Sequence, residues 1–141
     1  MSLSQQEREE FLAEPHIAAL SVHDGPERGP LTVPIWYQYA PGGDVWIMTS
    51  AGSRKAKLID EAGRFTLMVD QAQPRVRYVS VEGPVVDVSP SREELLWEIS
   101  SRYLPAEQVP GYVEFAKADH GEQLIYTMRP QRWLSADLTV G

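Results

Sequence analysis

Apolar and polar residues alternate over much of the chain with the period of two that marks half-buried β-strands. The alternation is clearest where Val79, Val81 and Gly83 interleave with Tyr78, Ser80 and Glu82. Residues 16–22 form a short apolar run closed by the turn cluster Asp24-Gly25-Pro26-Glu27-Arg28-Gly29-Pro30. Residues 31–39 are rich in β-branched and aromatic side chains, as strands prefer, and Pro34 predicts an edge strand or a bulge there. Pro41-Gly42-Gly43-Asp44 reads as a hairpin turn into a return strand over 45–49. Further strands are expected over 64–69 and 76–88, with a break or bulge at Gly83-Pro84. The last is expected over 123–128, running irregularly past Pro130 to Trp133-Leu134.

Helical signals separate these runs. Ser4 and Glu7 make a capping box, in which each side chain satisfies a backbone donor of the first turn, and Pro15 stops that helix. Ser53 is the expected N-cap of a second helix ending at Gly63. Ser91 and Glu94 suggest a second capping box, opening a helix through 104 with Leu95, Leu96, Ile99 and Tyr103 on one face. Pro105 and Pro110 bound the way to another helix over 112–118. The expectation is a single domain over 1–141: a mainly β, antiparallel barrel of about six strands. Its peripheral helices would be a short one over 4–14 and a helical insertion over 91–118.

Composition narrows the chemistry. The 141 residues contain no cysteine, which excludes a disulfide framework, a thiol nucleophile and an iron–sulfur cluster. A net charge of −7 argues against a global grip on nucleic acid or an anionic membrane. The polar first residues are unlike a signal peptide, and no apolar run approaches the ~20 residues of a membrane span, so the expected compartment is the cytoplasm. His16, His23 and His120 show no metal-ligand spacing, and no metal is expected. There is no nucleophile elbow, P-loop or G-x-G-x-x-G, and Ser21, Ser53 and Ser80 show no sign of a triad. Any chemistry would therefore rest with a cofactor.

The most informative segment is Thr49-Ser50-Ala51-Gly52-Ser53-Arg54-Lys55-Ala56-Lys57. It delivers a strand to a capped helix start, where unpaired amides and the positive dipole end favour an anion. Arg54, Lys55 and Lys57 oppose that dipole, a placement that makes sense if an anion binds. The other readings are a solvated basic turn or pairing to Asp60 and Glu61. Arg54 and Lys57, three apart, share a helix face that Lys55 does not. Trp36, Tyr37, Tyr39 and Trp46 flank Pro34, either as core or as the wall of a flat aromatic ligand. Arg75 and Arg77, at i and i+2, would face one side of a strand, either as a charged outer face or as ligand contacts.

These residues together resemble a known family. Met48-Thr49-Ser50-Ala51-Gly52-Ser53-Arg54-Lys55-Ala56 resembles the T-x-x-x-S-R-K-A segment of pyridoxamine 5′-phosphate oxidases and their flavin-binding relatives. Arg77-Tyr78-Val79-Ser80-Val81-Glu82-Gly83 is similar to the R-[Q/Y]-V-x-[V/I]-x-G strand that follows in that family. Val33-Pro34-Ile35-Trp36-Tyr37 resembles the V-P-V-W-[F/Y] strand of the branch that includes deazaflavin (F420)-dependent reductases. Arg132-Trp133-Leu134-Ser135-Ala136-Asp137 resembles that branch's closing strand. The match runs from about residue 14 to 138, and the order and spacing of the motifs carry it.

The resemblance implies a split β-barrel that forms a homodimer, with FMN, or alternatively F420, in each cleft between subunits. It implies that Ser53, Arg54 and Lys55 hold the cofactor phosphate with Lys57 as an adjunct, and that Met48 and Thr49 line the site. It places Val33, Pro34, Ile35 and Trp36 beside the ring, Arg77 and Tyr78 flanking it, and Trp133 closing it. The implied activity is hydride transfer to or from a small organic substrate, with Tyr37, Tyr78 or Ser50 as possible proton donors. After Arg132 there is no counterpart of the family's basic R-L-H-D-R-like segment, which points away from a true pyridoxamine 5′-phosphate oxidase. The alternative is a flavin or haem carrier or sensor of the same fold, without turnover.

Overall fold

The computed structural model describes residues 1–119 and 121–139. His120 lies outside the described residues. Helix α1 spans Gln5–Ala13, and its capping box is present as expected: the Glu7 amide donates to Ser4 Oγ and the Ser4 amide to Glu7 Oε1. Strands β1 (Ala18–Val22), β2 (Leu31–Ile35), β3 (Tyr37–Tyr39) and β4 (Val45–Ser50) follow. Helix α2 (Arg54–Ala62) leads to β5 (Arg64–Gln71) and the long β6 (Arg77–Pro90). Helices α3 (Glu93–Tyr103) and α4 (Val109–Asp119) precede β7 (Gln123–Met128) and β8 (Arg132–Asp137).

All strand pairs are antiparallel, in the order β2-β1-β5-β6-β7-β4-β3, with β8 on β6. Among the described residues there are eight strands, where the sequence reading expected about six. The run over 31–39 divides because the chain kinks at Trp36, and 132–137 is a regular strand rather than an irregular tail. The curled antiparallel sheet with peripheral helices is a split β-barrel.

The split is built into β6. Its first part, from Arg77, pairs β5 and β8, and its last part, to Pro90, pairs β7. The register shift falls between Val85 and Asp87, just beyond the expected Gly83-Pro84. Gly83 is required for another reason. A Cβ there would lie 1.8 Å from the Arg129 carbonyl oxygen, where the β7–β8 connection crosses β6. Period-two burial holds as read: Val79 and Val81 face the core, joined by Leu20, Phe65, Leu67, Ile47, Tyr37 and Tyr126 from the other strands. Phe11 and Leu12 of α1 and Ile59 of α2 close that core.

Three local expectations are corrected. Ser91 does not cap α3. Its amide donates to the Gln123 carbonyl and its hydroxyl to Met48 Sδ at 3.7 Å. Arg92 is therefore the N-cap and makes no side-chain capping bond. Arg75 precedes β6 rather than sharing a strand face with Arg77, and it bonds Asp137 at 2.6 Å. Helix α4 also starts earlier than expected, since Pro110 fits a first turn that needs no amide donor.

Candidate functional site

A strand, a tight turn and a helix build one wall of the main cavity. Strand β4 ends at Ser50, Gly52 takes the left-handed conformation (φ +80°), and Ser53 caps α2. The cap is complete: Ser53 Oγ accepts from the Ala56 amide at 3.2 Å and shares a hydrogen bond with Thr49 Oγ1 at 3.1 Å. No acidic residue lies in the first turn of α2.

The cavity has a volume of about 770 Å³. Along its first wall run Pro34, Ile35, Trp36, Met48, Thr49, Ser50 and Lys55. The opposite wall comes from the α3–α4 hairpin, through Leu96, Ile99, Tyr112 and Ala116, with Ser91, Arg92, Glu93 and Lys117 also lining it. Trp36 joins the two walls. Its ring stacks on Tyr103 at 4.8 Å and 15° and lies 5.4 Å from Tyr112. The Tyr103 hydroxyl accepts from the Tyr37 amide (3.1 Å) and lies within bonding distance of the His16 and Tyr37 carbonyls (2.8 and 3.1 Å). It thereby satisfies backbone groups at the kink that holds Trp36.

Charge is unevenly distributed around the cavity. Three cations line it: Lys55, Arg92 and Lys117. Lys117 bonds Glu93 at 2.6 Å, which lowers the Glu93 carboxyl and raises the Lys117 ammonium from their usual ranges. Arg92 lies 3.5 Å from Glu94. Among the described residues, Lys55 has no carboxylate partner.

The structure therefore separates the three cations of the basic turn. Lys55 lines the cavity, Arg54 turns to Asp24, and Lys57 is exposed. Asp60 pairs with none of them and accepts from the Tyr126 hydroxyl at 2.9 Å, a phenol pushed up to about 12 by burial and by that carboxylate. Of the remaining implied site residues, Pro34, Ile35, Trp36, Met48 and Thr49 meet in the cavity, and Ser53 adjoins it through Thr49. Val33 packs against the core and borders a smaller, adjoining groove rather than the cavity itself. Arg77 and Trp133 lie apart from the cavity, one over Phe11 and the other between Arg8 and Tyr39. Tyr78 pairs with Asp70 and Ala136 across the sheet, on the face opposite inward-pointing Val79.

Among the proton-donor candidates, Tyr37 is buried and its hydroxyl faces the Leu12 carbonyl at 2.6 Å, with its acidity suppressed chiefly by burial. Ser50 lines the cavity, and its Oγ accepts from Gln123 Nε2 at 2.8 Å. The α3–α4 wall was not foreseen from sequence. Its signal was the shared face of Leu96 and Ile99, which reads the same for a cavity wall as for a packed core.

A family model described as pyridoxamine 5′-phosphate oxidase matches residues 4–135. Solved structures share the fold. An F420 reductase aligns with a TM-score of 0.69 at 20% identity, over 89% of this chain and 94% of that one. A conserved hypothetical protein from Mycobacterium tuberculosis aligns with a TM-score of 0.70 at 22% identity, over 99% and 92%. An FAD-binding protein from Mesorhizobium loti aligns with a TM-score of 0.62 at 14% identity, over 96% and 93%. No curated protein matches the sequence. The matched span covers most of the chain, and the chain belongs to the pyridoxamine 5′-phosphate oxidase family.

Proposed function

We propose that the protein is an oxidoreductase that uses a flavin-type cofactor, FMN or the deazaflavin F420, in the cavity between β4–α2 and the α3–α4 hairpin. The observation that carries this reading is Lys55: a cation without a carboxylate partner among the described residues, at a helix start with no first-turn acid, lining a cavity of about 770 Å³. A volume of this order suits a cofactor and a small substrate together. The residues present fit such a group, with a positive end for its phosphate and an extended apolar wall for its ring. The F420 reductase and the FAD-binding protein among the similar structures support the cofactor class.

The cofactor, when bound, supplies the hydride-transfer centre. The chain does the rest. Lys55 and the amides at the start of α2 hold the phosphate, with Ser53 keeping the turn in shape and Thr49 bracing Ser53. Pro34, Ile35, Trp36 and Met48 orient the ring and exclude water. Ser50, whose oxygen accepts from Gln123, keeps its own O–H proton for a bound molecule.

We further propose a homodimer through the outer face of the sheet. Pro34, Ala19, Met68, Ser80 and Leu134 form one cross-strand row there, with Met68 37% and Leu134 69% exposed. Ile17 and Pro34 line both the cavity and the smaller groove, so a copy seated on this face adjoins the site and brings its Tyr78 toward it. The test is an absorption spectrum of purified protein, followed by titration with FMN and F420 and by sedimentation. A 1:1 complex per subunit with one of them in a dimer supports the reading. No binding to either overturns it. Reduction of the bound cofactor by NAD(P)H or a reduced deazaflavin separates an enzyme from a carrier.

A further inference from the structure

The α3–α4 wall differs in chemistry from the wall assigned to the cofactor. Leu96, Ile99, Tyr112 and Ala116 give it an apolar surface. Its two cations each lie beside a carboxylate, Lys117 by Glu93 at 2.6 Å and Arg92 by Glu94 at 3.5 Å, and Glu122 also lines the cavity. An anionic substrate would have to compete with Glu94 and Glu93 for those cations, so its desolvation would be poorly compensated. Trp36 is fixed in place, stacked on Tyr103, which is itself hydrogen-bonded to the backbone at the kink. Tyr112 lies close beside it. A ring wall held this way favours a flat partner, because little side-chain freedom remains to be lost on binding.

We infer that the α3–α4 end of the cavity is a substrate subsite for an uncharged, flat aromatic molecule, and that it selects against phosphorylated or carboxylated compounds. The inference rests on the cofactor reading for the other end of the same cavity. Leu96, on α3, is its most direct probe, because it lines the cavity from a different element than Lys55.

The experiment is equilibrium dialysis of 2-naphthol and 2-naphthyl phosphate against the protein saturated with FMN or F420, at pH 7. The expected result is that 2-naphthol binds at least tenfold more tightly than its phosphate. Leu96→Glu should weaken 2-naphthol at least tenfold. Leu96→Ala should weaken it about threefold, and it keeps the test alive if the charged variant does not fold. Equal or tighter binding of the phosphate overturns the inference. So does 2-naphthol affinity that neither Leu96 variant changes. If neither cofactor binds, the cofactor reading fails by itself, and the Leu96 variants with 2-naphthol on the bare protein still decide the subsite.

Discussion

Two helices begin at the same cavity with opposite arrangements of charge. Helix α2 has a complete serine cap, no acid in its first turn, and Lys55 without a carboxylate partner among the described residues. Helix α3 has no side-chain cap, two acids in its first turn, and Glu93 paired to Lys117 of α4. Acids near an N-terminus satisfy the helix dipole, so α3 is electrostatically complete as it stands. At the start of α2 the amides, the dipole and Lys55 share one sign, while Asp24 is taken up by Arg54 and Glu122 lines the cavity near Ala51. The two ends of the one cavity thus differ in local charge, with Lys55 at the start of α2 and a carboxylate–ammonium pair at the start of α3.

The largest expected effect breaks the α2 side. Lys55→Ala should weaken FMN or F420 binding by roughly ten- to a hundredfold, the worth of a charge-assisted contact of about 1.5–3 kcal/mol. Fluorescence titration measures it. Lys57→Ala, one residue beyond the cap's Ala56 and exposed, should change the same affinity by less than about twofold if only local contact counts and screening acts on the rest.

The next effect compares the two caps. Ser53→Ala removes a side-chain cap and should lower stability by about 1 kcal/mol, whereas Ser91→Ala removes none and should stay within about 0.5 kcal/mol. Urea denaturation at fixed m-value reads both. Equal losses would remove the claim that α2 has a serine cap and α3 does not.

The smallest effects are those of pH. FMN binding at the α2 end should weaken as pH falls through about 6, where its phosphate monoester loses its second charge, whereas F420, a phosphodiester, should show no such step. The α3 clasp should not respond there. The Glu93 carboxyl is lowered from 4.5 by Lys117, so its contribution is present above that value and lost as pH falls through the lowered one. The Lys117 ammonium is raised from 10.5, so its contribution is present below that value and lost as pH rises through the raised one. The clasp is thus intact across neutral pH, and both groups are solvent-exposed, so thermal melts between pH 6 and 9 should show no change from Glu93→Gln beyond that of the wild type.

Local signals were read correctly where the side chain acts on its own backbone. Ser4 with Glu7, Ser53 and Gly63 all cap as the sequence implied. Ser91 misled for a tertiary reason: its donors go to Gln123 and Met48, which only the folded chain brings near. Pro34 implies an edge strand or a bulge, and β2 is indeed at the sheet edge, but nothing local signals the break at Trp36. The strand tolerates Pro34 at the sheet edge and breaks where Tyr103, far along the chain, offers hydrogen bonds. In the site, Lys55, Thr49, Met48 and Trp36 follow from a local motif. The α3–α4 wall does not, since its residues share no motif and meet the others only through the packing of the helical hairpin. Arg54 likewise carried the same sequence signal as Lys55, and its pairing with Asp24 is a long-range contact.

The most direct test of the account sets FMN and F420 against riboflavin, which has the flavin ring and no phosphate, in titrations of the wild type and of Lys55→Ala. The account predicts that the wild type binds FMN or F420 at least tenfold more tightly than riboflavin, and that this advantage largely disappears in Lys55→Ala. Riboflavin binding as well as both phosphorylated cofactors, or an advantage that survives loss of Lys55, would contradict it.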